Sequence, residues 1–130
     1  MDYRELANKA VEAKSKAVAS YSKFHVGAAL LTKNNKVYQA GNIETSSYSL
    51  TICAERTALF KAVSEGEREF TAIAIASDDH NFCPPCGACR QVMNDLCGNI
   101  DVIMINHKNE LKQIKLSELF PFPFGDDNLK

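Results

Sequence analysis

The sequence predicts an α/β chain folded as a three-layer α/β/α sandwich around a mixed five-stranded sheet. Two apolar runs of strand length, residues 70–77 and 101–106, are of the kind that crossover helices bury on both faces. Helical segments stand before and between them. The first, residues 3–17, places Leu6, Ala7, Ala10 and Val11 near helical spacing among Arg4, Glu5, Lys9 and Glu12, so one apolar stripe covers a face of the sheet.

The remaining elements follow in order. Ser20-Tyr21-Ser22 interrupts the helical pattern before residues 24–31, an apolar run that reads as the first strand. Residues 33–36 form a hairpin turn, because asparagine tolerates positive φ better than most residues, and a second strand runs from 36 to about 42. A second helix starts at Thr51 or Ile52, runs through Cys53-Ala54-Glu55-Arg56 to Val63 and stops near Gly66. Pro85 suits the first turn of a helix from Cys86 to about Leu96, since its missing N–H is one that a helix start leaves unbonded anyway. Residues 112–115 read as a short edge strand and 116–120 as a final helical turn. No repeat, linker or low-complexity stretch divides the chain, so residues 1–130 are assigned to one domain, large enough to bury its own core.

Charge and composition narrow the function. A net charge of -1, with basic residues scattered rather than clustered, gives no electrostatic footprint for nucleic acid. No apolar run approaches the roughly 18 residues of a membrane span, and no basic stretch leads into an apolar one as in a secretory signal. Five cysteines, an odd number with four of them between positions 83 and 97, fit a reducing compartment and metal chemistry better than a disulfide framework. The expectation is a cytoplasmic protein acting on a small molecule, without a nucleic-acid or membrane partner.

Cys53-Ala54-Glu55 and Pro85-Cys86-Gly87-Ala88-Cys89-Arg90 are the segments that carry chemistry. Cys86 and Cys89 are three apart and share one helix face, while Cys53 arrives from the other helix, so three thiolates can converge on one ion. Zinc held by three protein ligands keeps a position for water, which is the mark of a catalytic site. Both segments sit at helix starts, where unbonded N–H groups and the helix dipole favour negative charge. Three thiolates leave a formal excess of negative charge on the site, which Arg56 can reduce by donating hydrogen bonds to sulfur; Arg90 is a second candidate. Glu55 is assigned as a carboxylate that moves protons and does not bind the metal, against the plainer reading of a capping-box glutamate.

At these residues, with Gln91 following, the chain resembles the small zinc-dependent cytidine deaminases. The similarity covers almost the whole length. Tyr21-Ser22-Lys23-Phe24-His25-Val26-Gly27 resembles the family's nucleoside-site segment, Gly41-Asn42-Ile43-Glu44 its ribose-binding strand end, and Phe120-Pro121-Phe122-Pro123-Phe124-Gly125 its tail. The resemblance implies one Zn²⁺ per subunit on Cys53, Cys86 and Cys89, and water attack at C4 of cytosine while Glu55 protonates N3 and then the departing amine. The products are uridine or 2'-deoxyuridine and ammonia, a step of pyrimidine salvage. Phe24, Asn42, Glu44, Ala54, Tyr48 and Phe124 are the implied substrate-binding residues. Phe24 stacks on the pyrimidine; Asn42 and Glu44, two apart on a predicted strand, offer an amide and a carboxylate to sugar hydroxyls. In family members that form homotetramers, the residues matching Tyr48 and Phe124 complete a neighbour's pocket, so a homo-oligomer, tetramer or dimer, is expected. His25, His80 and His107 are read as non-catalytic.

The chain departs from the family at Ser20, where proline is common, at Thr45-Ser46 near the pocket rim, and at Cys83. Cys83-Pro84-Pro85-Cys86-Gly87-Ala88-Cys89 also begins like an iron–sulfur run, and a closed Cys₄ zinc module using Cys83 is the non-enzymatic alternative. Blasticidin S deamination is the enzymatic one. Purified protein is expected to be colourless with roughly one zinc per chain; a brown colour would establish the iron–sulfur reading.

Overall fold

Asp2 starts the first helix: its Oδ1 accepts the Glu5 N–H at 2.8 Å, satisfying a donor that the first turn cannot use. In the computed structural model, which describes residues 1–129, this helix is α1 (Tyr3–Ala13), with Leu6, Ala7, Ala10 and Ala13 buried along one stripe. It ends four residues before the expected boundary. A 3₁₀ turn, Lys14–Lys16, leads to an extended Ala17, and the Val18 N–H then donates to the Asn42 carbonyl at 2.8 Å while Val18 bridges Ile43. The chain leaves the helix because these backbone groups pair beyond the end of the second strand.

The sheet is ordered β2-β1-β3-β4-β5. Strands β1 (Val26–Thr32) and β2 (Val37–Gly41) form an antiparallel hairpin, registered from Gly27 opposite Gly41 to Leu31 opposite Val37, and Asn35 takes φ 70° at the turn. Beyond the hairpin, helix α2 (Ala54–Ser64) returns the chain to β3 (Phe70–Ser77), which lies antiparallel to β1. Strand β4 (Asp101–Ile105) is parallel to β3 and therefore needs the crossover that α3 (Gly87–Cys97) supplies. Strand β5 (Leu111–Lys115) closes the edge antiparallel to β4, and a single turn, α4 (Leu116–Leu119), follows. Lys112 and Lys115 are exposed on β5, which discourages further strand pairing.

Alternation along the strands separates two cores. Ala29, Leu31, Ala72, Ala74, Ala76, Ile103 and Ile105 pack with Leu6, Ala7 and Ala10 of α1. Their neighbours Ala28, Leu30, Ile73, Ile75, Val102 and Met104 pack on the other side with Ala58 and Leu59 of α2 and Met93 of α3. The expected three layers and mixed sheet are present. The alanines let α1 approach closely: a Cβ on Gly27 would lie 2.1 Å from the Ala10 carbonyl oxygen and 2.6 Å from the Lys14 nitrogen. Gly27→Ala is therefore expected to cost at least about 1–3 kcal/mol, measured by urea denaturation, because backbone rather than a flexible side chain must give way.

Candidate active site

The starts of α2 and α3 meet at one point. Cys53 (φ -70°, ψ 155°) and Cys86 (φ -67°, ψ 168°) are extended N-cap residues whose carbonyls accept the first helical N–H groups, from Thr57 and Arg90, at 3.0 Å. Neither sulfur caps its helix. Both cysteines were expected inside the helices; their place one residue before them leaves the side chains outside the helical stack. Cys89 lies one turn into α3, buried, on the same face as Cys86.

The sulfurs of Cys53 and Cys86, and of Cys86 and Cys89, are each 3.5 Å apart, and all three lie within 4.8 Å of one another. Tetrahedral zinc with Zn–S bonds near 2.3 Å requires sulfurs about 3.8 Å apart, so the donor set fits the ion. Cys83 is outside this group, which removes the structural basis for a closed Cys₄ site. A hydrogen bond from the Cys89 thiol, reinforced by the Arg56 guanidinium, holds Cys53 down to about 5. The same contact, with burial, pushes Cys89 up. A cation bound at the three sulfurs would displace whatever protons the thiols carry.

Arg56 Nη2 donates to Cys53 Sγ at 3.5 Å. Arg90 does not do the same. Its Nε donates to the Pro85 carbonyl at 2.8 Å and its Nη1 to the Leu119 carbonyl at 2.6 Å, since its place on α3 turns it toward the C-terminal segment.

Glu55 is the second residue of α2 and only 4% exposed. Burial, with the neighbouring Cys53 charge, pushes its carboxyl up to about 7. It lines a cavity of about 190 Å³ with Val26, Asn42, Cys53, Ala54 and Cys83. A carboxyl buried beside three thiols favours its protonated form, and one raised to about 7 is suited to general acid and base work near neutral pH.

A second cavity of about 350 Å³ is lined by Tyr21, Ser22, Glu44, Tyr48 and Thr51, and Thr51 lines both. The fold thus gathers Cys53, Cys86, Glu55, Ala54 and Asn42 at one cavity, with Cys89 buried next to the two thiols, and Glu44 and Tyr48 at its neighbour. Phe24 is exposed and lines neither cavity, and its carbonyl accepts from Asn42 Nδ2 at 2.9 Å. Phe124 lines neither cavity; its carbonyl accepts from Gln91 Nε2 at 2.8 Å. Asn42 and Glu44 are not on the strand proper, since β2 ends at Gly41 and Ile43 instead bridges Val18 and Ile52. Asn42 is buried. Hydrogen bonds from the Ser22 hydroxyl and then the Ser22 N–H hold the Glu44 carboxyl below the usual carboxylate range. Thr51 was named in the sequence only as a possible helix start, and Ser22 only within the segment that resembles the nucleoside site; neither was given a role of its own.

Residues 1–105 match the cytidine and deoxycytidylate deaminase zinc-binding region. The chain belongs to that family. A cytidine deaminase from Halalkalibacterium halodurans is 48% identical over 130 residues, which cover 99% of this chain and 98% of that protein. The fold is similar to the crystal structure of cytidine deaminase from Burkholderia pseudomallei, with a TM-score of 0.91 and 43% identity over 95% of this chain and 100% of that one. A blasticidin-S deaminase from Bacillus cereus is more distant, 30% identical over 79% of each protein.

His25, non-catalytic by expectation, anchors the cavity wall from behind. Its N–H and its ring Nδ1 meet Asp78 Oδ2 at 2.8 and 2.7 Å, and Lys14 Nζ lies 3.2 Å from Oδ1. The His25 N–H above all, then the His25 ring and Lys14, hold the Asp78 carboxyl down to about 2 from 3.8. Because the folded value is depressed, the stabilisation is complete above pH 3.8 and disappears as pH falls toward 2. Asp78→Asn is expected to flatten the acid limb of stability across that window in urea titrations at stepped pH. With the carboxyl side chain 35% exposed, the loss at neutral pH is expected to stay under about 1 kcal/mol.

Proposed function

We propose that the protein hydrolyses the exocyclic amine of cytidine and 2'-deoxycytidine, giving uridine or 2'-deoxyuridine and ammonia. The observation that carries this is Glu55, buried at the cavity that Cys53 and Cys86 also line, two residues past the first thiol of a three-sulfur cluster. Cys53, Cys86 and Cys89 would hold zinc, which would supply a Lewis acid able to make water nucleophilic near neutral pH. Glu55 takes one proton from the attacking water and delivers it to N3 of the ring, then takes the second from the C4 hydroxyl and delivers it to the amine as the C4–N bond breaks, leaving the C4 carbonyl and ammonia. Arg56 and the two helix N-termini offset the negative charge of the thiolates.

Asn42 and Glu44 take the sugar hydroxyls, and Phe24 stacks on the pyrimidine, a contact of roughly 1–3 kcal/mol. Ala54 contributes through its main chain, since the first N–H groups of a helix have no helical partner. Tyr48 and Phe124 complete a neighbour's pocket in a homotetramer. In support, Tyr48 and Leu50 are 71% and 70% exposed, Phe122 is fully exposed and Phe124 57%, an apolar surface that a free monomer would leave in water. Residues 1–130 act as one domain. Five free cysteines fit a reducing compartment, so we place the enzyme in the cytoplasm, in pyrimidine salvage.

Ultraviolet assays with cytidine, deoxycytidine, cytosine, CMP and blasticidin S are expected to show turnover of the first two. Glu55→Gln is expected to keep its zinc and lose about 10²–10⁴-fold in kcat, whereas Cys53→Ala loses the metal. Normal turnover by Glu55→Gln would remove the proton transfer assigned to it, and a monomeric mass in solution would remove the shared pocket.

A further inference from the structure

Asn42 and Glu44, the residues read above as sugar ligands, already hold the main chain on either side of Phe24. Asn42 Oδ1 accepts the Val26 N–H at 2.9 Å while its Nδ2 donates to the Phe24 carbonyl at 2.9 Å. Glu44 Oε1 accepts the N–H groups of Tyr21 at 3.0 Å and Ser22 at 2.9 Å, and Oε2 accepts a hydrogen bond from the Ser22 hydroxyl. The same Ser22 Oγ accepts the Phe24 N–H at 3.0 Å. One oxygen therefore joins the carboxylate to the backbone of the aromatic residue.

The turn is under strain. Lys23, between Ser22 and Phe24, has φ 62°, a left-handed conformation that persists in a residue with a Cβ only where its surroundings over-determine it. Here the surroundings are the bonds to Glu44, the Lys23 N–H to the Ala19 carbonyl at 3.0 Å and the Lys23 ammonium to the Ser20 carbonyl at 2.8 Å. Ser22 and Glu44 also line one cavity, where a ligand can meet both.

We propose that Ser22 is a positioning residue that couples recognition of the sugar to recognition of the base. The inference rests on the reading of Glu44 as a sugar ligand and Phe24 as the stacking ring. A carboxylate has about four acceptor sites, and three are engaged by the Tyr21 N–H, the Ser22 N–H and the Ser22 hydroxyl; a sugar hydroxyl takes the fourth. The carboxylate fixes the direction of the Ser22 O–H, which in turn fixes the lone pair offered to the Phe24 N–H. Without the Ser22 hydroxyl, the Phe24 backbone loses its anchor to the group that senses the sugar, and the two halves of the nucleoside are recognised independently.

Steady-state kinetics of the zinc-loaded enzyme test this, with cytidine and with 2',3'-dideoxycytidine, which lacks both ring hydroxyls. Ser22→Ala is expected to raise KM for cytidine about tenfold with a much smaller change in kcat, as for loss of a hydrogen bond to a charged group. It is also expected to reduce the preference for cytidine over the dideoxynucleoside toward that of Glu44→Gln. Ser22→Thr, which keeps the hydroxyl, restores most of the preference. The double variant Ser22→Ala/Glu44→Gln is no worse than Glu44→Gln alone, since the two side chains act as one unit. Ser22→Cys replaces Ser22→Ala in the same assays should the latter fail to fold. A Ser22→Ala enzyme that retains the wild-type preference, whatever its Tm, overturns the coupling while Glu44→Gln still loses it. If Glu44→Gln itself retains the preference, the assignment of Glu44 to the sugar falls, and the coupling with it.

Discussion

The meeting of two helix N-termini at one point is the constraint on which the rest of this structure depends. Cys53 and Cys86 cap α2 and α3 with extended backbone, and with Cys89 they bring three sulfurs within 4.8 Å. Such a cluster would repel itself as thiolates, and it persists because both helices are held from behind. Leu59 of α2 and Met93 of α3 are almost fully buried in the core that these helices share with the sheet. Burying each contributes roughly 1.5–3 kcal/mol, comparable to the cost of crowding charged groups. The unbonded N–H groups of both helices then lower that cost at the point where it arises.

The same two helices distribute the remaining roles. The first turn of α2 carries Ala54, Glu55 and Arg56, so the buried acid and the cation that faces Cys53 come from one rigid element. Placing these groups on a helix start gives them fixed directions that a loop would not. In α3, Arg90 holds the Pro85 carbonyl next to Cys86 and the Leu119 carbonyl, while Gln91 holds the Phe124 carbonyl. The helix that starts between two of the sulfurs therefore also holds the C-terminal segment, whose Phe124 lines neither cavity.

The sheet supplies the other wall. The start of β1 and the end of β2 bring Val26 and Asn42 to the cavity, and Gly27 and Gly41 allow this by letting the backbone around Ala10 to Ala17 come into direct contact. Asn42 is buried because both ends of its amide are bonded to main chain, which removes the cost of covering a polar group. Glu44 is held below the usual carboxylate range by hydrogen bonds, whereas burial raises Glu55. Two glutamates eleven residues apart in sequence are thus given opposite characters, an acceptor that stays charged and an acid that can hold a proton, by their surroundings.

Much of the fold was legible in the sequence because it rests on local pattern: the apolar runs at 70–77 and 101–106 become the buried strands β3 and β4, and the stripe of α1 is buried at Leu6, Ala7 and Ala10, although Val11 is exposed. The early end of α1 was not legible, since it depends on Val18 pairing with residues more than twenty positions away. The candidate metal ligands and Glu55 could be named from spacing, because thiolate and carboxylate chemistry permits few other uses for that pattern. That Arg56 and not Arg90 reaches sulfur, that Cys83 stands apart, and that Thr51 and Ser22 join the cavities are matters of direction in space. Sequence by itself determined which groups could react. Only tertiary packing decided which of them meet, because side-chain convergence depends on the relative placement of helices and strands that no local pattern encodes.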